Sequence, residues 1–248
     1  MNIGMILNLG WGPGVLLLLA LPALGRPRAA RWIVLALFVA IADSVATLLP
    51  ILDKELQFAN VHMNWSGKLI DIAVMIVIML ALMASGLFKR QDFGFTLRQA
   101  PGTMRGLLFV ALPFLLIIAG LAATMFGNTK LPSAEVLAYE ATLPGLAEEL
   151  VWRGLLLALF DRLFSARATI LGAELGYGAI ATSLVFGLIH ALQFDSHIVL
   201  HTEWIGGAFA AVTGLALVWI RARSKSLVFP VLVHNATNLI LESVPLMA

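Results

Sequence analysis

Eight apolar runs follow one another along this chain, near residues 5–24, 32–51, 69–88, 106–126, 138–160, 170–193, 205–221 and 227–246, with no long polar segment between them. Each is long enough, or nearly so, to carry a helix across a hydrocarbon layer that needs about 20 helical residues. Backbone in lipid must satisfy its own hydrogen bonds. The runs therefore predict an all-α fold, a polytopic membrane bundle of about eight transmembrane helices. Composition agrees, since 60% of the 248 residues are hydrophobic and 12% are charged, against roughly 25% charged in an average soluble domain. Neither a linker nor an internal repeat divides the chain, so residues 1–248 read as one transmembrane domain. The opening Met1-Asn2-Ile3-Gly4 has no basic side chain and no small-residue cleavage site follows. The first run is accordingly read as a retained span rather than a signal peptide.

Lysine and arginine set the expected orientation. The segments after the first, third, fifth and seventh runs hold Arg26, Arg28, Arg31, Lys89, Arg90, Arg98, Arg105, Arg162, Arg167, Arg221, Arg223 and Lys225, and the alternate segments hold Lys54, Lys68 and Lys130. Twelve against three places the basic loops in the cytoplasm and both termini outside. Trp32 and Trp219 then fall near inner ends, and Trp65 and Trp204 near outer ends, where interfacial aromatics belong. Gly172 with Gly176, and Gly206 with Ala210 and Gly214, have the four-residue spacing that lets helix backbones approach. They predict a compact core that includes the sixth and seventh spans.

Several chemistries are excluded. The net charge of +2 is small and the basic residues are dispersed between apolar runs, so nucleic acid is not an expected partner. With no cysteine there is no thiol catalysis, disulfide or thiolate metal site. No H-E-x-x-H zinc helix, Walker loop or dinucleotide fingerprint occurs, and no G-x-S-x-G elbow. Gly176-Tyr177-Gly178-Ala179 lacks the aspartate of a Gly-x-Gly-Asp aspartyl protease.

The most polar place inside the membrane is Pro144-Gly145-Leu146-Ala147-Glu148-Glu149-Leu150-Val151-Trp152-Arg153-Gly154. One charge at the centre of a spanning helix costs roughly 2.5–3.5 kcal/mol, so three in six residues need a reason. Glu149 and Arg153 are four apart on one helical face and can pair. Glu148 is turned about 100° away and is left to point elsewhere. The spacing suggests one structural and one working carboxylate; a salt-bridge network that only locks helices is the competing reading. His190 sits near the outer end of the sixth span, where a lone histidine is more often a packing residue than a catalyst. In the eighth span His234 and Asn238 are one turn apart and project the same way, as either an interhelical clamp or a site. With the deduced orientation, Glu148, His190 and the His234–Asn238 pair fall at similar depth towards the outer face. Asp43, Asp71, Glu140, Glu174 and Glu242 lie within or at the ends of spans and read as interfacial or singly hydrogen-bonded. His197 and His201, four apart beside Glu203, have a metal-like spacing but follow Asp195 and Ser196 in what reads as a solvated outer loop.

A carboxylate whose neighbour is paired to an arginine, facing imidazole at the edge of a membrane cavity, is equipped to take a proton from water. A second histidine and an amide can stabilise a developing oxyanion. Together they would hydrolyse a carbonyl compound. In order and spacing, Glu148-Glu149-x-x-x-Arg153, Phe186-x-x-x-His190 and His234-x-x-x-Asn238 resemble the three signatures of the CPBP family, the CAAX prenyl proteases and bacteriocin-processing enzymes of the Abi type. The resemblance covers roughly the second half of the chain, a motif-bearing core of residues 138–246.

It implies an eight-helix intramembrane endopeptidase acting in the lipid bilayer on a membrane-anchored peptide or protein. Carried over, Glu148 would activate water with help from His190, His234 and Asn238 would form the oxyanion hole, and Glu149 and Arg153 would hold the site in shape. A paired Glu149 has little capacity left for a metal, so the glutamate mechanism is favoured and no cofactor is expected, with zinc as the alternative. Prenyl-CAAX processing takes place at the cytosolic face, whereas the charge bias puts this site nearer the outer face. That points to a prokaryotic plasma-membrane enzyme cutting a precursor's sorting tail or a secreted peptide's leader. The alternative function is a non-catalytic membrane receptor, immunity factor or scaffold that uses the same polar residues for packing. A proton-coupled carrier is disfavoured, because no inverted repeat or matching pair of broken spans is seen.

Overall fold

The apolar runs need internally hydrogen-bonded backbone, and helices supply it in all eight. In the computed structural model, which describes residues 3–57, 61–126 and 132–243, α1 spans Ile3–Ala20 and runs on through a tight turn at Leu21–Ala23. Helices α2 (Ala29–Leu52), α3 (Trp65–Ala84) and α4 (Thr103–Phe126) follow. The fifth run is broken into α5 (Ala134–Glu140), α6 (Leu143–Glu149), a π-helical stretch (Leu150–Leu156) and α7 (Leu157–Leu163). A hairpin of β1 (Arg167–Ile170) and β2 (Ala173–Gly176) leads to α8 (Tyr177–Ala191). A second hairpin, β3 (Leu192–Phe194) and β4 (Leu200–Thr202), leads to α9 (Trp204–Ser224) and then α10 (Val228–Ser243).

Among the described residues, five segments are long and apolar enough to cross a membrane: Ile3–Ala23, Ala29–Leu52, Trp65–Ala84, Thr103–Thr124 and Trp204–Ser224. The other three runs differ from the simple spans expected. The fifth stops at Thr142 and restarts at α6 with Pro144 in its first turn, where a residue without an N–H costs nothing. The sixth loses its first seven residues to the β1–β2 hairpin, because Leu171 (φ 49°) and Gly172 (φ 79°) make the two-residue left-handed turn that such hairpins require. This leaves α8 with 15 residues and α10 with 16. The remainder of the eighth run, Met1, Asn2 and Lys130 lie outside the described residues.

Four basic segments meet at one end of the bundle. Arg26 bonds the Leu163 carbonyl, Arg162 bonds Leu87 and Asp92, Arg221 bonds the Gln91 and Asp92 carbonyls, and Arg223 bonds Pro101. The apolar core beside them joins α1, α2, α3, the π-helical stretch, α7 and α8 through fully buried Leu16, Met75, Met79, Leu155, Leu159 and Phe160.

Helices α8 and α9 do pack closely, and of the glycines the spacing suggested Gly214 takes part, where a Cβ would lie 3.1 Å from the Ser183 Cβ. Gly172 and Gly176 instead belong to the hairpin, and Gly206 faces open space. The tighter contact is at Gly187, where a Cβ would come within 2.6 Å of both the Ala211 Cβ and the Gly207 carbonyl oxygen. Gly187→Val is expected to cost about 1–3 kcal/mol, the usual range for overpacking. Thermal unfolding in detergent would measure it, and an unchanged midpoint would contradict the close approach.

Candidate active site

At the end opposite the basic segments, α6 and the π-helical stretch bring charge into the core. π-Helical turns are rare and concentrate at functional sites; here all seven residues from Leu150 to Leu156 are buried. Arg153 within it donates from Nη1 to Glu149 Oε1 at 2.8 Å, and neither side chain is more than 1% exposed. The same oxygen lies 2.8 Å from His234 Nδ1, carried in from α10. A carboxylate can only accept, so Nδ1 holds the proton and Nε2 is the ring atom left for the site. It stands 3.7 Å from Glu148 Oε2.

Glu148 turns away from the Glu149–Arg153 pair, but it is not unengaged. Its Oε1 lies 2.9 Å from Nζ of Lys68, in the first turn of α3. Behind Lys68 stand two more acids, Asp43 on α2 and fully buried Asp71 on α3, whose carboxyl groups contact each other and act electrostatically on the ammonium.

Phe186 is the apolar hub. Its ring centroid is 4.6 Å from that of His190 and 6.0 Å from that of His234, and the Arg153 guanidinium lies 4.5 Å over its face. The Phe186 carbonyl, 2.7 Å away, accepts from His190 Nδ1, which leaves the His190 Nε2 as an acceptor. Both imidazoles act electrostatically on Glu148. Glu148, Glu149, Arg153, His190 and His234 are thus one constellation. Asn238 sits at its margin, donating its amide to Glu140 Oε2 at 2.9 Å. Glu242, in the last turn of α10, acts electrostatically on Glu140, and Glu174 is an exposed hairpin residue 3.7 Å from Lys225.

Two contributors escaped the sequence reading. Lys68 was counted with the outer-loop lysines, although its place four residues after Asn64 and three before Asp71 on an apolar helix signals a polar inward face. Asn235, between His234 and Asn238, carries no sequence signal of its own. Its side chain accepts from the Gly145 N–H (2.9 Å) and donates to the Thr142 carbonyl (3.2 Å), satisfying backbone groups that the break before α6 leaves open. Gly145 has no room for a Cβ there, because the Asn235 amide occupies it.

His197, His201 and Glu203 stay apart from this site. Asp195 in their exposed hairpin pairs with His201 Nε2 at 3.0 Å and accepts the backbone N–H of Val199 and His197. Those bonds, that from His201 foremost, hold its carboxyl at about 2. Among the described residues no group of three or more His, Asp or Glu side chains is arranged to hold a metal ion. Glu148 Oε2 and the Nε2 atoms of His190 and His234 are free acceptors, but the Lys68 ammonium, 2.9 Å from Glu148 Oε1, would repel a second cation.

Residues 129–240, which include Glu148, Glu149, Arg153, His190, His234 and Asn238, match the family model described as type II CAAX prenyl endopeptidase, Rce1-like. No curated protein and no solved structure matches the chain.

Proposed function

We propose, from the premise that residues 129–240 belong to the Rce1-like family of type II CAAX prenyl endopeptidases, that this integral membrane protein is a metal-free, glutamate-type intramembrane endopeptidase. The observation that carries the reading is the asymmetric Glu148 carboxylate. One oxygen is tied to Lys68 at 2.9 Å and the other faces His234 Nε2 across 3.7 Å.

In this mechanism Glu148 Oε2 takes a proton from water as the oxygen attacks the scissile carbonyl. His190 Nε2, set as an acceptor by the Phe186 carbonyl, helps to orient that water. His234, with Nδ1–H anchored on buried Glu149, turns Nε2 towards the developing oxyanion and donates to it when protonated. The Asn238 amide joins it once released from Glu140. Glu148 then passes its proton to the leaving amine, so a carboxylate and an amine result and the enzyme is restored. Arg153 neutralises Glu149 throughout.

The substrate is a membrane-anchored peptide or protein that enters from the lipid. Twelve of the fifteen lysines and arginines outside the α6–π segment fall in the basic loops, which supports a site on the outer half of a prokaryotic plasma membrane with both termini outside. The test compares terminal peptides of membrane and secreted proteins in cells holding wild-type chain or Glu148→Gln at equal abundance. A few processed termini are expected to vanish in the variant and to report both substrate and membrane face. Coincident peptide sets would return the chain to the receptor or scaffold reading.

A further inference from the structure

We propose that Lys68 is a positioning residue for Glu148, and that Asp43 and Asp71 keep Lys68 in place; the inference rests on Glu148 being the water-activating base. Lys68 Nζ holds Glu148 Oε1 at 2.9 Å, and the two side chains are 14% and 19% exposed, so both border the same crevice. The remaining oxygen is 3.7 Å from His234 Nε2, which is beyond a direct hydrogen bond. Once His234 is protonated, a carboxylate and an imidazolium this close attract strongly in a poorly solvated site. Without the ammonium, nothing on the α3 side would restrain Glu148 from closing that gap. The base would then be spent on the oxyanion donor, and both functions would be lost together. Lys68 holds the two apart.

Lys68 needs its own restraint. A lysine has a flexible stem and three donors, and a single carboxylate would not fix it. Asp43, on α2, supplies a counter-charge on the ammonium in addition to Glu148. Asp71, fully buried on α3, is hydrogen-bonded carboxyl to carboxyl with Asp43 and so holds it in place. Burial of an acid is costly. Its placement against Asp43 and next to Lys68 is therefore what the fold maintains it for. Helices α2 and α3, which carry none of the three sequence signatures, enter the site through this chain of charges.

Two measurements test this. In the first, thermal unfolding in nanodiscs is recorded for Lys68→Met, for Glu148→Leu, which removes the acceptor, and for the double variant. A contact requires the double variant to lose less than the two single losses combined; strictly additive losses would overturn the proposal whatever the activity. In the second, a synthetic membrane-anchored peptide bearing a cut site that Glu148→Gln cells leave intact is cleaved by folded enzyme. Lys68→Met is expected to lower kcat about 100-fold, the scale of a misplacement near 1 Å, with KM within about twofold. Lys68→Arg, which can still hold one carboxylate oxygen, is expected to recover most of kcat, and Asp43→Asn to lower it less than Lys68→Met. Wild-type kcat in Lys68→Met, or a Lys68→Arg enzyme as poor as Lys68→Met, would sink the positioning role while leaving the peptidase reading intact. If Lys68→Met does not fold, Lys68→Gln and Asp43→Asn carry the same comparison. Absence of any cut peptide from wild type would instead remove the peptidase reading beneath it.

Discussion

Glu148→Gln is expected to fold as wild type does and to lose turnover by about 10²–10⁴-fold, the range a positioned general base supplies. The substitution is nearly isosteric. Its amide oxygen can still accept from Lys68, which keeps Asp43 as a counter-charge, so the contact across α3 and α6 survives. What the amide cannot do is take a proton from water. Removing the imidazole with His234→Ala is expected to cost about 10²–10³-fold through the oxyanion, and it also deprives Glu149 of a donor. The two losses therefore differ in kind: Glu148→Gln lowers the rate at constant stability, and His234→Ala lowers both. Single-turnover cleavage alongside thermal unfolding separates them. Near-wild-type turnover in Glu148→Gln would remove Glu148 as the base.

The parts legible from sequence are those governed by local spacing. Glu149 and Arg153 are i and i+4, and helix geometry alone brings them together. Apolar length announced the helices of all eight runs. The interruptions were less visible, since residues 138–160 read as a single run. Its break at Thr142 depends on a Pro144 helix start and on Asn235, 90 positions further on, to satisfy the freed Gly145 N–H. The hairpin before α8 was hidden for a similar reason: Ile170-Leu171-Gly172-Ala173 is as apolar as a helix, and only the positive φ at Leu171 and Gly172 sets it apart. Lys68 and Glu148 are 80 residues apart, and Glu140 and Asn238 are 98 apart. No periodicity relates such positions. Depth in the membrane narrowed the choice for Glu148, His190 and His234, whereas Lys68, at the start of a span, looked like any interfacial lysine. Tertiary packing alone turns it inward.

The largest stability effect is expected from Glu149→Ala or Arg153→Ala, each losing about 3–5 kcal/mol, because removing one partner of a buried pair strands the other charge. Both side chains are essentially inaccessible, at 0% and 1% exposure. Their geometry leaves little slack. Glu149 Oε1 serves both Arg153 and His234, and neither Glu149 Oε2 nor Arg153 Nη2 has another partner. Arg153 without Glu149 would keep only its stacking on Phe186 at 4.5 Å, worth about 2 kcal/mol when desolvated. The apolar double variant Glu149→Leu with Arg153→Met separates packing from function. Removing both charges avoids the stranded ion, so stability is expected to recover well above either single variant. Recovery stays incomplete, since His234 Nδ1–H loses its acceptor in a buried position and an unpaired donor costs about 1–3 kcal/mol. If the pair served packing alone, a restored fold would restore function. In the peptidase, His234 without Glu149 loses the anchor that aims Nε2 at the oxyanion, and the double variant is expected to be folded and inactive. Unfolding midpoints and peptide cleavage on the same four proteins decide it: losses below 1 kcal/mol in the single variants would contradict the buried pair, and an active double variant would confine Glu149 and Arg153 to structure.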